Sequence, residues 1–318
     1  MYRVSISVCL WLLLCAGSAM EARAAEDHPV RDVYTQTRYP VVLVHGMLGF
    51  DTLLGLIQYW SDIPDQLRRG GARVYVVKLS QLDSDAVRGE QLLEQLQALQ
   101  AIHGFARFNL IAHSQGGTTS RYVAEIRPDL VASLTTLGTP HGGSRVADGL
   151  LKWAPESSLQ GALLKGIIEL LGQFESLGSG AGFTPQRFET TLQGLSTQQM
   201  RAFNLDHPSG APLMTCGRGP ELAGNGVRYY SLGGTGVLTH PLDPGDYVLG
   251  LASLFFKGEP GDGLVGRCAS HWGWVLRDDY PWNHLDEINQ LFGLRGLFSP
   301  DPGEVLRVQL NRLKLSGL

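Results

Sequence analysis

The sequence predicts an α/β fold, a mostly parallel sheet with helices on both faces. Three observations predict it. Four short runs are apolar and rich in β-branched residues without alternation: Tyr39–Val44, Arg73–Leu79, Arg107–Ala112 and Leu130–Leu137. Strands that read this way are buried on both faces, as parallel strands are. Helical patterns lie between them, and strands alternating with helices make βαβ units.

Each element follows from local chemistry. The first run ends at His45-Gly46. After the second, Asp83-Ser84 can cap a helix. Leu92, Leu93, Leu96, Leu99 and Ile102 follow at helical spacing, and Gly104 stops it. After the third comes a sharp turn and a helix from Gly117 to Ile126, stopped by Pro128. Beyond the fourth, Ser196 with Gln199 resembles a capping box and starts another helix. Val227–Leu232 reads as a late strand, and the remainder as loop until a C-terminal helix over Asp286–Phe292.

The chain has 318 residues, a length of one or two domains at about 150 residues each. It is 43% hydrophobic and 18% charged, which excludes a disordered chain. Its net charge of −4 leaves no basic excess for phosphates and excludes a nucleic-acid binder. The 40 glycines follow no three-residue period, so they read as tight turns rather than collagen.

Residues 1–24 read as a secretory signal peptide: Arg3, an apolar run over Val8–Ala16, then Ala22-Arg23-Ala24 as a small-x-small cleavage site. Residues 25–318 are expected to form one domain. The apolar run is short for a membrane span of roughly 20 residues. No later stretch is long enough either, so no transmembrane segment is expected in the mature chain. Of four cysteines, Cys9 and Cys15 leave with the signal. Cys216 and Cys268 remain, and an even pair in an oxidising compartment predicts a disulfide.

The segment over residues 150–182 breaks the alternation. Leu163, Ile167, Leu170, Leu171 and Phe174 make a wide apolar face, with Lys165, Glu169 and Gln173 on a narrow polar one. A core helix would look the same. Its place directly after the fourth strand favours a lid whose oily side covers a site and meets lipid when open.

The chemistry centres on Ser114, in Leu110-Ile111-Ala112-His113-Ser114-Gln115-Gly116-Gly117. A strand runs in and a helix runs out, the context of a nucleophile elbow. Small residues are needed two before and two after the serine, and Ala112 and Gly116 supply them. The helix N-terminus behind Ser114 favours developing negative charge. The loop after the first strand, His45-Gly46-Met47-Leu48-Gly49, is placed to give one backbone N–H to an oxyanion. The residue after the serine gives the other. Met47 and Gln115 are therefore the expected oxyanion-hole donors, and His45 is read as a histidine that holds the loop. In this chain order the acid and then the base follow the serine. His284 and His271 compete for the base. Asp243, Asp246 and Asp262 are the candidate acids, Asp262 lying in a Gly-flanked turn before Leu264-Val265.

The residues then reach a family. The chain resembles the secreted bacterial triacylglycerol lipases of the Pseudomonas and Burkholderia type, from about Tyr34 to the C-terminus. The resemblance is carried by YPVVLVHGMLGFD (39–51), VKLSQLD (77–83), VRGEQLL (87–93), NLIAHSQGG (109–117), RYVAEIRPDL (121–130), DGLVGRCASH (262–271) and NHLDEINQLFGL (283–294). It implies an α/β-hydrolase fold with Ser114 as nucleophile, His284 as base and Asp262 as orienting acid. It also implies a Cys216–Cys268 bridge tethering the Asp262 loop. It implies a structural Ca²⁺ held by Asp243 and Asp286 and by the backbone carbonyls of Gln290 and Leu294. Such hard oxygen ligands suit calcium. The expected activity is triacylglycerol hydrolysis at an oil–water interface, outside the cell after passage through the periplasm, with a dedicated foldase as folding partner. A carboxylesterase or acyltransferase using the same triad on short or soluble esters is the alternative. Two departures stand out: Ala112 replaces the family's usual glycine, and Gln115 a frequent histidine.

Overall fold

The computed structural model describes residues 32–47, 49, 52–53, 57–152, 185–290 and 293–318. The predicted signal peptide and, of the predicted lid, residues 153–182 lie outside them. The sheet contains β1 (Val41–Val44), β4 (Val74–Val76), β5 (Phe108–His113), β6 (Val131–Leu137), β7 (Arg228–Gly234) and β8 (Trp274–Tyr280). Their spatial order is β4-β1-β5-β6-β7-β8, and every pairing is parallel. A two-residue antiparallel ribbon, β2 (Thr52–Leu53) with β3 (Ile57–Gln58), follows β1. The chain leaves β1 for β4 on one side and returns to β5 on the other. The direction of winding thus reverses between β1 and β5, and in open parallel sheets the crevice beyond such a reversal is where ligands bind.

The apolar runs behave as predicted: every residue of β1, β5 and β6 is buried. Alternate residues feed two cores. Val41, Leu43 and Ile111 pack with Ile63 and Leu67 of α1 (Ile63–Arg69) and with Leu306, Leu310 and Leu313 of α8 (Pro302–Leu315). Val42, Val44, Leu110 and Ala112 pack with Leu92 and Leu96 of α2 (Asp85–His103) and with Val123 of α3 (Gln115–Ile126). A third apolar cluster joins α4 (Arg145–Leu151), α5 (Pro185–Leu195) and α7 (Pro244–Ser253). Met47, an expected oxyanion-hole donor, and Leu264, two residues after Asp262, pack against it.

Local signals set the helix ends. Ser84 Oγ accepts the Val87 N–H at the start of α2, and Gly104, at φ 69°, ends it. Ser196 Oγ accepts the Gln199 N–H and starts α6 (Thr197–Asp206). Such caps contribute about 1 kcal/mol each.

Three expectations need correction. The strand expected over 73–79 is confined to β4. Beyond Val77, side chains replace the strand partner: Gln95 bonds both Lys78 backbone groups, and His45 and Gln91 accept the N–H groups of Leu79 and Ser80. Of the helix expected over 286–292, the described residues form a single 3-10 turn, Asp286–Ile288. Asn289 leaves it in the left-handed region at φ 64°, and the Gln290 N–H turns back to the Leu285 carbonyl. The segment expected to be loop holds α7 and β8, and α8 follows after residue 293. The start of α7 is written as Asp243-Pro244 and that of α8 as Asp301-Pro302, an N-cap followed by proline at the first helical position. Strand β8 lies at one edge of the described sheet, and its burial alternates where a continuous apolar run was the strand signal.

Candidate active site

Ser114 sits where β5 ends and α3 begins, with φ 54° and ψ −133°. A non-glycine residue is strained there, and such strain persists only where its surroundings over-determine it. The surroundings are tight. A Cβ on Gly116 would lie 2.4 Å from the Val44 carbonyl oxygen, and one on Gly46 would lie 2.6 Å from Ser114 Cβ. Only glycine lets the β1 loop and the β5 turn approach this closely. Ala112, by contrast, fits: its methyl group is buried in the core between the sheet and α2–α3.

The β1 loop is held from several sides. His45 is fully buried; its Nε2 accepts the Leu79 N–H at 3.0 Å, so its Nδ1–H donates to the Gly46 carbonyl at 2.9 Å. Burial, with the Arg88 charge nearby, lowers its pKa to about 3, so it stays neutral and structural. Arg88, buried on α2, donates to the carbonyls of His45 (2.6 Å), Gly46 and Ser80. The Gly46 N–H donates to the Tyr59 hydroxyl at 2.9 Å, and that hydroxyl donates to His113 Nδ1 at 2.6 Å. Gln115 is anchored by its side chain, whose Nε2 donates to the Asp83 carbonyl at 2.9 Å. It is the first residue of α3, so its N–H has no partner within the helix.

The late loops bring acid and base together. His284 Nδ1 lies 2.8 Å from Asp262 Oδ2, with both side chains buried. The Asp262 turn is built for this: its Oδ1 accepts the N–H groups of Leu264 and Val265, and its carbonyl accepts the His284 N–H at 2.9 Å. The His284 ring centroid is 4.5 Å from that of His113, the residue before Ser114. His271, the competing histidine, is spent elsewhere. Its Nε2 meets Asp278 Oδ2 at 2.9 Å and its Nδ1 meets the Gly217 carbonyl at 3.1 Å. Neither nitrogen remains for a serine proton. The predicted disulfide, Cys216–Cys268, joins the segment before Gly217 to the one before His271.

Sequence reasoning missed the groups behind Ser114, Asp262 and His284. Glu287 is fully buried: its Oε1 accepts the Gly234 N–H, and its Oε2 lies 3.2 Å from His113 Nε2. Burial and the Asp262 charge raise its pKa well above the usual range, so its carboxyl is neutral. His113 is neutral too, its pKa lowered by burial and by His284. His113, His284 and Glu287 offer atoms within 4.8 Å of one another. A neutral acid and a histidine bonded to a tyrosine suit a hydrogen-bond network better than a cation. The one available signal was position, since Glu287 follows His284 by three residues and His113 precedes Ser114.

A different group suits a hard cation. Asp243, Asp246 and Asp286 are all buried, and Asp246 and Asp286 both accept from Asn283. Burial, with the charges of Asp246 and Asp243, raises the Asp286 pKa to about 7. Asp286 Oδ1 is buried without a hydrogen-bond partner. A buried, orphaned carboxylate oxygen amid acidic neighbours fits a bound cation with oxygen ligands. The Gln290 side chain donates to the carbonyls of Gln58 and Tyr59. Leu294 lies half-buried four residues on.

The α/β hydrolase fold family matches residues 39–229. A triacylglycerol lipase of Vibrio cholerae is 48% identical over 285 residues, 90% of each chain. The chain belongs to the α/β-hydrolase family, among the bacterial triacylglycerol lipases. A Burkholderia plantarii triacylglycerol lipase is 38% identical, with 99% of this enzyme and 98% of that one covered. One from Pseudomonas fragi is 38% identical over 90% of this enzyme and its own whole length. Among solved structures, a Bacillus licheniformis lipase in its mature form matches the fold with a TM-score of 0.61. It is 19% identical and covers 87% of this enzyme and 92% of that chain. Homology thus agrees with the local geometry: the enzyme is a lipase with an α/β-hydrolase sheet. No helix among the described residues is long and apolar enough to cross a membrane.

Proposed function

We propose that the enzyme hydrolyses triacylglycerol esters through an acyl-enzyme formed on Ser114. The observation that carries this reading is the buried His284–Asp262 pair at 2.8 Å, whose ring lies against the residue preceding a strained serine. His284 Nε2 takes the Ser114 proton as the hydroxyl oxygen attacks the ester carbonyl. Asp262 holds the imidazole with its proton on Nδ1 and stabilises the charged ring. The N–H groups of Met47 and Gln115 receive the tetrahedral oxygen. Losing one such donor costs about 3 kcal/mol of barrier. His284 returns the proton to the leaving alcohol, and water, deprotonated by the same ring, releases the fatty acid.

The rest of the proposal is the setting. Residues 1–24 direct export through the periplasm, and the Cys216–Cys268 bridge suits an oxidising compartment. A lipase-specific foldase assists folding. Residues 150–182 act as the lid that opens at an oil–water interface. Calcium would be held by Asp243, Asp286 and the carbonyls of Gln290 and Leu294. Bound there, two residues from the base, it supplies rigidity to the His284 loop.

The test is hydrolysis of triglycerides of graded acyl length, below and above their solubility limit. The expected result is a rate jump on emulsified substrate and its abolition in Ser114→Ala with the fold intact. Activity confined to dissolved short esters would favour a carboxylesterase or acyltransferase. A chelator is expected to lower the melting temperature, and an unchanged value would remove the calcium assignment.

A further inference from the structure

We infer that Asn283 is a positioning residue for the catalytic base, and that it works as one half of an exchangeable pair with Asp246. The inference rests on the reading of His284 as base. Asn283 directly precedes His284 and is completely buried. Its side-chain amide is fully used. Oδ1 accepts the N–H groups of Leu285 and Asp286, each at 2.9 Å. Nδ2 donates to Asp246 Oδ1 at 2.6 Å and to Thr239 Oγ1 at 3.2 Å. Its own N–H donates to Asp286 Oδ2 at 3.0 Å.

These bonds have a direction. The Oδ1 side curls the backbone just after His284 into a fixed turn. The Nδ2 side ties that turn to the loop after β7, because Asp246 Oδ2 accepts the N–H groups of Thr239 and His240. The His284 N–H meanwhile donates to the Asp262 carbonyl. The base is therefore gripped on one side by the acid's own turn and on the other by Asn283. A buried amide with both ends satisfied tolerates no rotation. Turning it over would set Nδ2 against two N–H groups and Oδ1 against a carboxylate.

The pair is chemically reversible. With Asp246→Asn and Asn283→Asp together, the carboxylate at 283 can accept the N–H groups of Leu285 and Asp286. The amide at 246 can accept from Thr239 and His240 and donate to residue 283. Each single exchange breaks this logic: Asn283→Asp sets two carboxylates face to face, and Asp246→Asn sets two amide NH₂ groups in conflict.

The experiment measures kcat and KM on a soluble nitrophenyl ester at saturating calcium, per active site titrated with a serine-directed phosphonate. Titration counts only folded sites, so a merely structural loss lowers the count and not kcat per site. Each single variant is expected to lose kcat by about 10²-fold with KM little changed, the scale of a ~1 Å misplacement. The double variant is expected to recover most of that loss. Asn283→Ser, which keeps an acceptor for the two amides and drops the bond to Asp246, should fall between wild type and Asn283→Asp. Wild-type kcat per site in Asn283→Asp, or a double variant no better than the singles, would overturn the inference. Failure of the phosphonate to label Ser114 in the wild-type enzyme would overturn the reading of the base itself, and this inference with it.

Discussion

Two histidine–aspartate pairs stand in this enzyme within the last quarter of the chain. In His284–Asp262 the contact is 2.8 Å, and in His271–Asp278 it is 2.9 Å. Both rings are buried. The difference lies on the other nitrogen. His284 uses Nδ1 on Asp262, and Nε2 is the nitrogen proposed to take the serine proton. His271 uses Nε2 on the acid and Nδ1 on the Gly217 carbonyl. Its aspartate also serves Arg267, at 2.8 Å. The second pair thus closes a tie next to the Cys216–Cys268 bridge, while the first leaves a proton site open. A histidine–carboxylate contact is common structural chemistry; the proposal of His284 as base rests on its ring also packing against His113, the residue before the strained serine.

The sharpest way to break this comparison is to remove each ring. His284→Gln is expected to cost about 10⁶-fold in kcat, as loss of a triad base does. His271→Gln should keep kcat per titrated site near wild type. Equal losses in the two variants would erase the distinction. The next largest effect concerns stability. The disulfide closes a separation of 52 residues, so Cys216→Ser with Cys268→Ser should destabilise by about 4 kcal/mol in the chain-entropy relation. Denaturant unfolding measures it. His271→Gln should cost less, about 1–3 kcal/mol for a charged hydrogen bond, by the same measurement.

The smallest effect is a pH slope. Burial depresses the pKa of His45 to about 3, and those of His113 and His141 well below 6.5. The unfolded chain takes up protons on these rings near pH 6.5, and the folded chain does not. Their contribution is complete above about pH 6.5 and is lost as pH falls toward the folded-state values. Melting temperature should therefore drop between pH 7 and 4. His45→Gln, which keeps a donor and an acceptor, should make the slope shallower by up to about 1.4 kcal/mol per pH unit. Glu287 acts with the opposite sign, because its raised pKa makes the neutral acid the stable folded form. An identical slope in His45→Gln would show that its ring is not held neutral.

Much of this was legible along the chain. The continuous apolar runs of β1, β5 and β6 announced strands buried on both faces. Ser84 and Ser196 announced helix starts, and the context of Ser114 announced the elbow. Local chemistry suffices there, because a strand period, a cap or a tight turn is decided by residues within a few positions of one another. Where neighbours in sequence were poor guides, the reading failed. Asp286–Phe292 looked helical, but among the described residues Asn289 takes the left-handed region and ends the helix after one 3-10 turn. Asp243-Pro244 and Asp301-Pro302, each an N-cap followed by proline, start helices outside the expected ones.

What the sequence by itself determined is the alternation of strands and helices, the strained serine between them and a short list of acids and bases. Only the tertiary structure decided which histidine is free. It did so by carrying Gly217 and Asp278 to one ring and Asp262 to the other across separations of 54, 7 and 22 residues. It also decided the buried partners: Arg88 on the β1 loop, Tyr59 on His113, Glu287 beside Asp262 and Asn283 against Asp246. The physical reason is that a buried polar group is satisfied by whichever partner packing brings within about 3 Å, and packing is a property of the folded chain as a whole.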